Sequence, residues 1–374
     1  MPVSKNRIRL PTMTPGTTRS VAWLRFGHAG ARPKVYMQAA IHANELPGTM
    51  ALHHLMPMLT KADQAGRVRG EVILVPTVNP IGLSQVAGNV HLGRYDLLSR
   101  DNFNRNWLDL SAAVAERVGR RLGRNAAANV DLIRGAALAA LRAMDPVTEL
   151  QTLRVEMMKL SIDADVVLDL HSDQEGVLHL YTTPTAWPRV APLARTLGVR
   201  VALLAEASGD DPFDEACSMV WPLLAERLGP AVPLPASCVA VTVELRGESD
   251  VSNALAQQDA QAIVHYLATQ GFIDEPQPAL PPALCEPTPL SGSMAVVAPF
   301  GGIVVYLREP GDTMRAGVAI AQLIDPIADR LQVLESPVDG VFYARELRRF
   351  TPAGGSICKI AGREPRRQGK LLSD

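Results

Sequence analysis

Two histidines and two glutamates have the types and positions that hydrolytic chemistry requires. His42 and Glu45 stand three apart directly after the apolar run Val35–Ile41, and Pro47 is placed to open a helix behind them. An imidazole and a carboxylate at that spacing can converge on one cation. Zinc takes nitrogen and oxygen donors, and a catalytic zinc typically has three protein ligands and one position open for water. His171 is the candidate third ligand, because the run Val166–Leu170 reads as a second buried strand delivering it to the same edge of a sheet. Glu244 lies near the end of another apolar run, Val239–Leu245. A poorly solvated carboxylate beside an activated water has the character of a general base. Other readings stay open. His171 could be a hydrogen-bonded structural group, and Glu244 could pair with Arg246, two positions along on the same strand face. Asp169 could orient His171 or serve the structure alone, and Asp173 could do either.

The elements that must position these residues alternate along the chain. Strands are expected at Lys34–Ile41, Glu71–Val78, Asp165–Leu170, Val201–Leu204 and Cys238–Leu245, separated by helical patterns, which predicts an α/β domain on a mostly parallel sheet. An Ala/Arg/Leu-rich stretch at about 109–160 reads as a helical insert broken near Pro146, and Ala254–Thr269 as the helix closing a first domain of residues 1–273. Asp274–Leu290 holds six prolines and is expected to be a linker, which we bound at 274–293. From 294 to 374 the texture changes to short apolar runs divided by Gly301-Gly302, Pro310-Gly311-Asp312, Asp339-Gly340 and Gly354-Gly355, the pattern of a small all-β barrel-sandwich.

Composition removes several classes of function. Thirty-seven basic against 38 acidic residues leave no broad field for nucleic acid or anionic lipid, so any anion recognition must be local. A 47% hydrophobic and 20% charged chain of 374 residues fits a folded two-domain enzyme rather than a disordered or fibrous protein. The four scattered cysteines form neither a disulfide framework nor a C-x-x-C metal site. With no secretory signal or membrane span recognisable, a cytoplasmic location is expected. There is no G-x-S-x-G elbow, P-loop or dinucleotide fingerprint.

Taken together, His42-Ala43-Asn44-Glu45, Asn104-Arg105, His171-Ser172 and Val243-Glu244-Leu245-Arg246 resemble, in order, the motifs of the zinc carboxypeptidase superfamily, and most closely its aspartoacylase and succinylglutamate desuccinylase branch. The resemblance spans about Val35 to Tyr266 and implies the carboxypeptidase-like fold. It implies one zinc on His42, Glu45 and His171, Glu244 as base, and Asn104 and Arg105 as the holders of a substrate carboxylate. It also implies an earlier arginine that polarises the scissile carbonyl; Arg94 is favoured, and Arg100 is retained as a substrate-binding candidate. The expected reaction is attack of a metal-activated water on the amide of a small N-acyl amino acid. A peptidase of short peptides and an idle metal-binding protein are the alternatives, and homo-oligomerisation is left open. The C-terminal region resembles the biotinyl/lipoyl carrier fold, with turns at Ala298–Gly302, Pro310–Asp312 and Ser336–Gly340. The hairpin Asp325–Arg330 lacks the lysine a carrier would display, so no modification is expected, and the region is expected to pack beside the catalytic mouth.

Overall fold

The computed structural model of the protein describes residues 4–372. Strands β1 (Ser4–Arg9) and β2 (Ser20–Gly27) pair antiparallel and lead into β3 (Lys34–Ala39), which is buried along its whole length. Helix α1 (Pro47–Gln64) follows, with Pro47 in its first turn. Gly48 allows the close contact: a Cβ there would meet Leu170 at 2.8 Å and Ala39 at 3.0 Å, so α1 lies directly on the sheet. Leu52, Leu55 and Leu59 are fully buried against it, and truncating any one to alanine would cost about 2–5 kcal/mol. Next come β4 (Glu71–Val75), the single-turn α2 (Pro80–Leu83) and a hairpin of β5 (Val86–Ala87) with β6 (Val90–His91).

The expected helical insert is α3 (Ser111–Val118), α4 (Ala126–Arg142) and α5 (Glu149–Ser161), with Pro146 between the last two. A Thr148–Gln151 capping box starts α5 by satisfying two otherwise orphaned backbone donors. The chain continues through β7 (Val166–Asp173), β8 (Glu175–Gly176), β9 (His179–Thr182), α6 (Trp187–Leu197) and β10 (Val201–Leu204). Helices α7 (Phe213–Ser218) and α8 (Val220–Leu228), strand β11 (Val239–Gly247) and helix α9 (Asn253–Thr269) complete this part.

The large sheet runs β1-β2-β4-β3-β7-β11-β9-β10-β12, where β12 is Pro287–Pro289. Its centre is parallel, and β1, β2 and the β11–β9 pair supply the antiparallel contacts. Alternation divides its residues between two cores. Val35, Met37, Val166, Leu168, Val241 and Val243 meet α1, α6 and α9, while Tyr36, Val167 and Ala240 face the side of α3, α4, α5 and α8. The Pro-rich stretch differs from a plain linker, since its end forms β12 on the sheet edge beside β10. An edge strand needs hydrogen bonds on one side only, which is why proline is tolerated there.

The C-terminal part is all β: β13 (Ser293–Val297), β14 (Gly302–Tyr306), β15 (Thr313–Met314), β16 (Ala319–Asp325), β17 (Arg330–Glu335), β18 (Gly340–Arg345), β19 (Phe350–Thr351) and β20 (Ser356–Gly362). These strands make two facing sheets, β13-β20-β18-β15 and β17-β16-β14-β19, around Val304, Leu323, Phe342 and Ile357. Strand β8 leaves the large domain to pair with β18, and so joins the two parts through backbone bonds.

Candidate metal centre and active site

His171 and Glu244 lie inside their strands, which continue past the expected ends to Asp173 and Gly247. The parallel register of β7 and β11 sets Glu244 directly beside His171. His42 and Glu45 occupy the turn between β3 and α1, where Ala40 adopts φ +59° and bends the chain out of the sheet. All three candidate ligands are buried, and a donor atom from each lies within 4.8 Å of the others. Glu45 is central to the arrangement. One of its oxygens is 2.9 Å from His42 Nδ1 and the other 2.7 Å from His171 Nδ1.

The far nitrogens are also fixed. His42 Nε2 lies 2.9 Å from Asn102 Oδ1 and His171 Nε2 lies 3.1 Å from Asp169 Oδ2, so an Nε2–H on each ring has an acceptor behind it and each Nδ1 is the atom turned toward Glu45. Asp169 is itself held by Gln38, whose Oε1 accepts the Tyr36 hydroxyl. Of the open readings for Asp169, the contact made is the orienting one. Two imidazole nitrogens and a carboxylate, braced from behind, form a donor set that fits a zinc ion. The two imidazoles differ electrostatically in the metal-free protein. Burial and the Arg94 guanidinium lower the His42 pKa to about 4, which leaves it neutral. Burial opposes a charge on His171, but the Asp169 and Glu45 carboxylates outweigh it and hold this pKa well above the ordinary value. The two imidazoles likewise overcome burial at Glu45 and keep it ionised.

A cavity of about 980 Å³ opens over these residues. Glu244 lines it, with a buried Oε2 that has no hydrogen-bond partner among the described residues, and burial pushes its pKa up to about 8. Arg246 does not pair with it, because its guanidinium is bonded to Asp259 of α9. Arg94 reaches the metal cradle, with Nη1 3.3 Å from His42 Nδ1 and 3.4 Å from Glu45. Gly93 permits this approach, since a Cβ there would strike the backbone of Asn44 at 2.4 Å. Arg105 is buried, lines the cavity and donates from Nη1 to the Asn104 carbonyl at 2.8 Å. The Asn104 side chain is anchored within the protein, where its Oδ1 accepts the Phe213 N–H. Arg100, the other arginine expected near substrate, is placed outside the cavity. It sits on an exposed turn with φ +66°, its backbone N–H bonded to the Asp96 carbonyl, and it is absent from the cavity lining.

Residues 31–269 match the family model described as Succinylglutamate desuccinylase/Aspartoacylase catalytic domain. The chain belongs to that family. Its members are hydrolases that remove acyl groups. A solved structure from Shewanella amazonensis SB2B, described as a succinylglutamate desuccinylase/aspartoacylase family protein, is 28% identical with a TM-score of 0.84, covering 96% of this chain and 98% of that one. A second, from Shewanella frigidimarina NCIMB 400, is 23% identical with a TM-score of 0.85, covering 96% and 97%. The product-bound ectoine utilization protein EutE (DoeB) from Ruegeria pomeroyi shares the fold at 14% identity, with a TM-score of 0.68 over 96% of this chain and 95% of that one. No curated protein matches the chain.

Within this desuccinylase/aspartoacylase frame, several residues around the site escape a reading of sequence. Gln38 and Asn102 brace the ligands, and the one available signal was a polar glutamine inside an otherwise apolar strand. Lys359 reaches in from β20, pairs with Asp173 at 2.9 Å and lines the cavity beside Glu244. That answers the open reading of Asp173, which faces the C-terminal domain rather than His171. Glu346, Leu347, Arg348 and Ser356 complete the same wall. His91 also lines the cavity, with its Nε2 3.1 Å from the Gly82 carbonyl.

Proposed function

We propose that the protein is a zinc-dependent amidohydrolase that releases the amine from a small N-acyl amino acid. The observation carrying this reading is the convergence of His42, Glu45 and His171, each imidazole oriented from behind by its own acceptor. A zinc ion bound there supplies Lewis acidity, which polarises the scissile carbonyl and lowers the pKa of water. Glu244 stands beside His171 and takes the proton from the attacking water, then gives it to the leaving nitrogen. Burial raises the Glu244 pKa, which strengthens its carboxylate as a base toward the attacking water. Arg94 faces the same point and stabilises negative charge developing on the carbonyl oxygen. Arg105, held by the Asn104 backbone, offers a planar fork to a substrate carboxylate.

The cavity walls favour a small substrate over a peptide. Support for this comes from residues 346–348 and Lys359, which bring a second part of the chain into the cavity lining. We place the enzyme in the cytoplasm, a reading supported by four cysteines that are all free thiols. No helix among the described residues is long and apolar enough to cross a membrane.

The test is metal content of the purified protein by mass spectrometry, alongside amine release from a panel of N-acetyl and N-succinyl amino acids and dipeptides. Near-stoichiometric zinc with turnover of an N-acyl amino acid is expected. Failure to bind any metal would reduce His42, Glu45 and His171 to structural residues, and a preference for dipeptides would make the protein a peptidase.

A further inference from the structure

Away from the metal cradle, one end of the cavity is acidic. Glu244, Thr242 and Ala240 share a face of β11 and all line the cavity, so the space continues past the base along the strand. Thr242 lies two residues from Glu244, about 6.5 Å, which is roughly the reach of a three- or four-carbon side chain. Helix α7 bounds this end and brings Asp214 and Glu215 into the lining. Asp214 is buried and takes a hydrogen bond from Thr242, while Glu215 Oε1 accepts the Ser208 N–H. Among the described residues no basic side chain forms an ion pair with Asp214. A buried carboxylate in that position is normally compensated or neutralised. Burial, with the Glu215 and Asp169 carboxylates nearby, pushes its pKa up to about 7. Ser208 is a second unmet group: its Oγ is buried, the residue lines the same cavity, and the hydroxyl has no hydrogen-bond partner among the described residues.

We propose that Asp214, with Glu215 and Ser208 beside it, selects a cation on the released amino acid, so that the substrate is an N-acyl derivative of a basic amino acid of the ornithine or lysine type. This rests on the hydrolase reading above, in which Glu244 serves the leaving nitrogen, and it puts the α-carboxylate of the released amino acid on Arg105. Asn104 Oδ1 accepts the Phe213 N–H, which ties that anchor to the first residue of α7, and the Arg105 charge reaches Glu215. A substrate held at those two points sends its side chain along β11 toward Asp214. A terminal ammonium or guanidinium there compensates the buried carboxylate, whereas a neutral side chain of equal length leaves it unpaired, and that penalty supplies the discrimination. Thr182, Ser218 and Ala240, which line the cavity with these residues, bring no competing charge. An acidic amino acid would set a further carboxylate against Asp214 and Glu215 and is disfavoured.

Calorimetric titration of the zinc-loaded full chain with free L-ornithine, L-lysine and L-norleucine tests the proposal without turnover, since norleucine matches the ornithine side chain in length and lacks its charge. The tighter of the two basic amino acids is expected to bind at least about tenfold better than norleucine, and Asp214→Asn to bring that ratio within about threefold. Hydrolysis of the Nα-acetyl derivatives of the same three is expected to favour a basic one by about 100-fold or more in kcat/KM. Equal binding of all three by the wild type would overturn the proposal whether or not the variant folds. Turnover of Nα-acetylnorleucine as fast as that of the basic derivatives would also overturn it, and would leave the hydrolase reading intact. Preferential binding of a basic amino acid with no hydrolysis of any derivative would instead support the acidic subsite and overturn the hydrolase reading.

Discussion

Glu45 touches both imidazoles at once, and much of the site's behaviour follows from that contact. In the metal-free protein His171 holds its proton between Asp169 and Glu45, whereas a metal needs the Nδ1 lone pair. Loading zinc at neutral pH is therefore expected to release a proton, and affinity should weaken as pH falls; a titration in weak buffer that shows no release would contradict the assignment. Asp169→Asn replaces the acceptor behind His171 and should lower metal affinity by about 10- to 100-fold, measured by chelator competition. Glu244→Gln is expected to keep the metal and lose activity by about 10²- to 10⁴-fold. The same substitution has a stability signature. Wild-type Glu244 keeps its proton in the fold up to pH about 8, against 4.5 for an ordinary glutamate, so between those values the native state binds more protons than the unfolded one. The contribution of Glu244 to the stability of the metal-free protein therefore falls as pH rises through that window. Thermal melts should show metal-free Glu244→Gln gaining on wild type at pH 8 relative to pH 5, and an equal difference at both would mean that Glu244 is not buried as described.

At the level of elements, β11 carries the base and α9 holds it in place. The pairing of β11 with β7 shifts register between Glu244 and Gly247, and Arg246 adopts φ +64° within the irregularity. The Arg246–Asp259 pair ties that kink to α9 and offsets the burial that raises the Asp259 pKa. Arg246→Ala would strand a buried carboxylate, at an expected cost of about 3–5 kcal/mol in urea unfolding. A cost below a tenth of that would show the pair to be incidental. The apolar runs made these strands legible in sequence, and so the order in which the ligands arrive at one sheet edge. Their ends were not legible, because His171, Asp173 and Arg246 read as polar terminators although each finds a partner that keeps it within a strand. Prolines concealed β12 for a related reason: a lone run of three gives no sign of which edge will accept it.

For the molecule as a whole, the relation of the two parts is the least legible feature. Their contact is made of residues far apart in sequence, such as Glu175 with Arg345 and Arg349, Gln174 with Glu346 and Asp173 with Lys359. No local pattern announces such pairs, and Lys359 looks like an ordinary surface lysine until β20 is placed. Val201, Leu203, Leu290, Tyr343, Ala344 and Ala361 also form one shared apolar cluster across the boundary. Scanning calorimetry is accordingly expected to show a single unfolding transition, and two resolved transitions would mean that the boundary contributes little. The cavity takes its reactive groups from one part of the chain and its limiting wall, residues 346–348 with Lys359, from the other. Selection on the two can therefore proceed separately. A change in the wall leaves the His-Glu-His cradle intact, so agreement at the cradle between two such proteins carries little information about which acyl group each one cleaves.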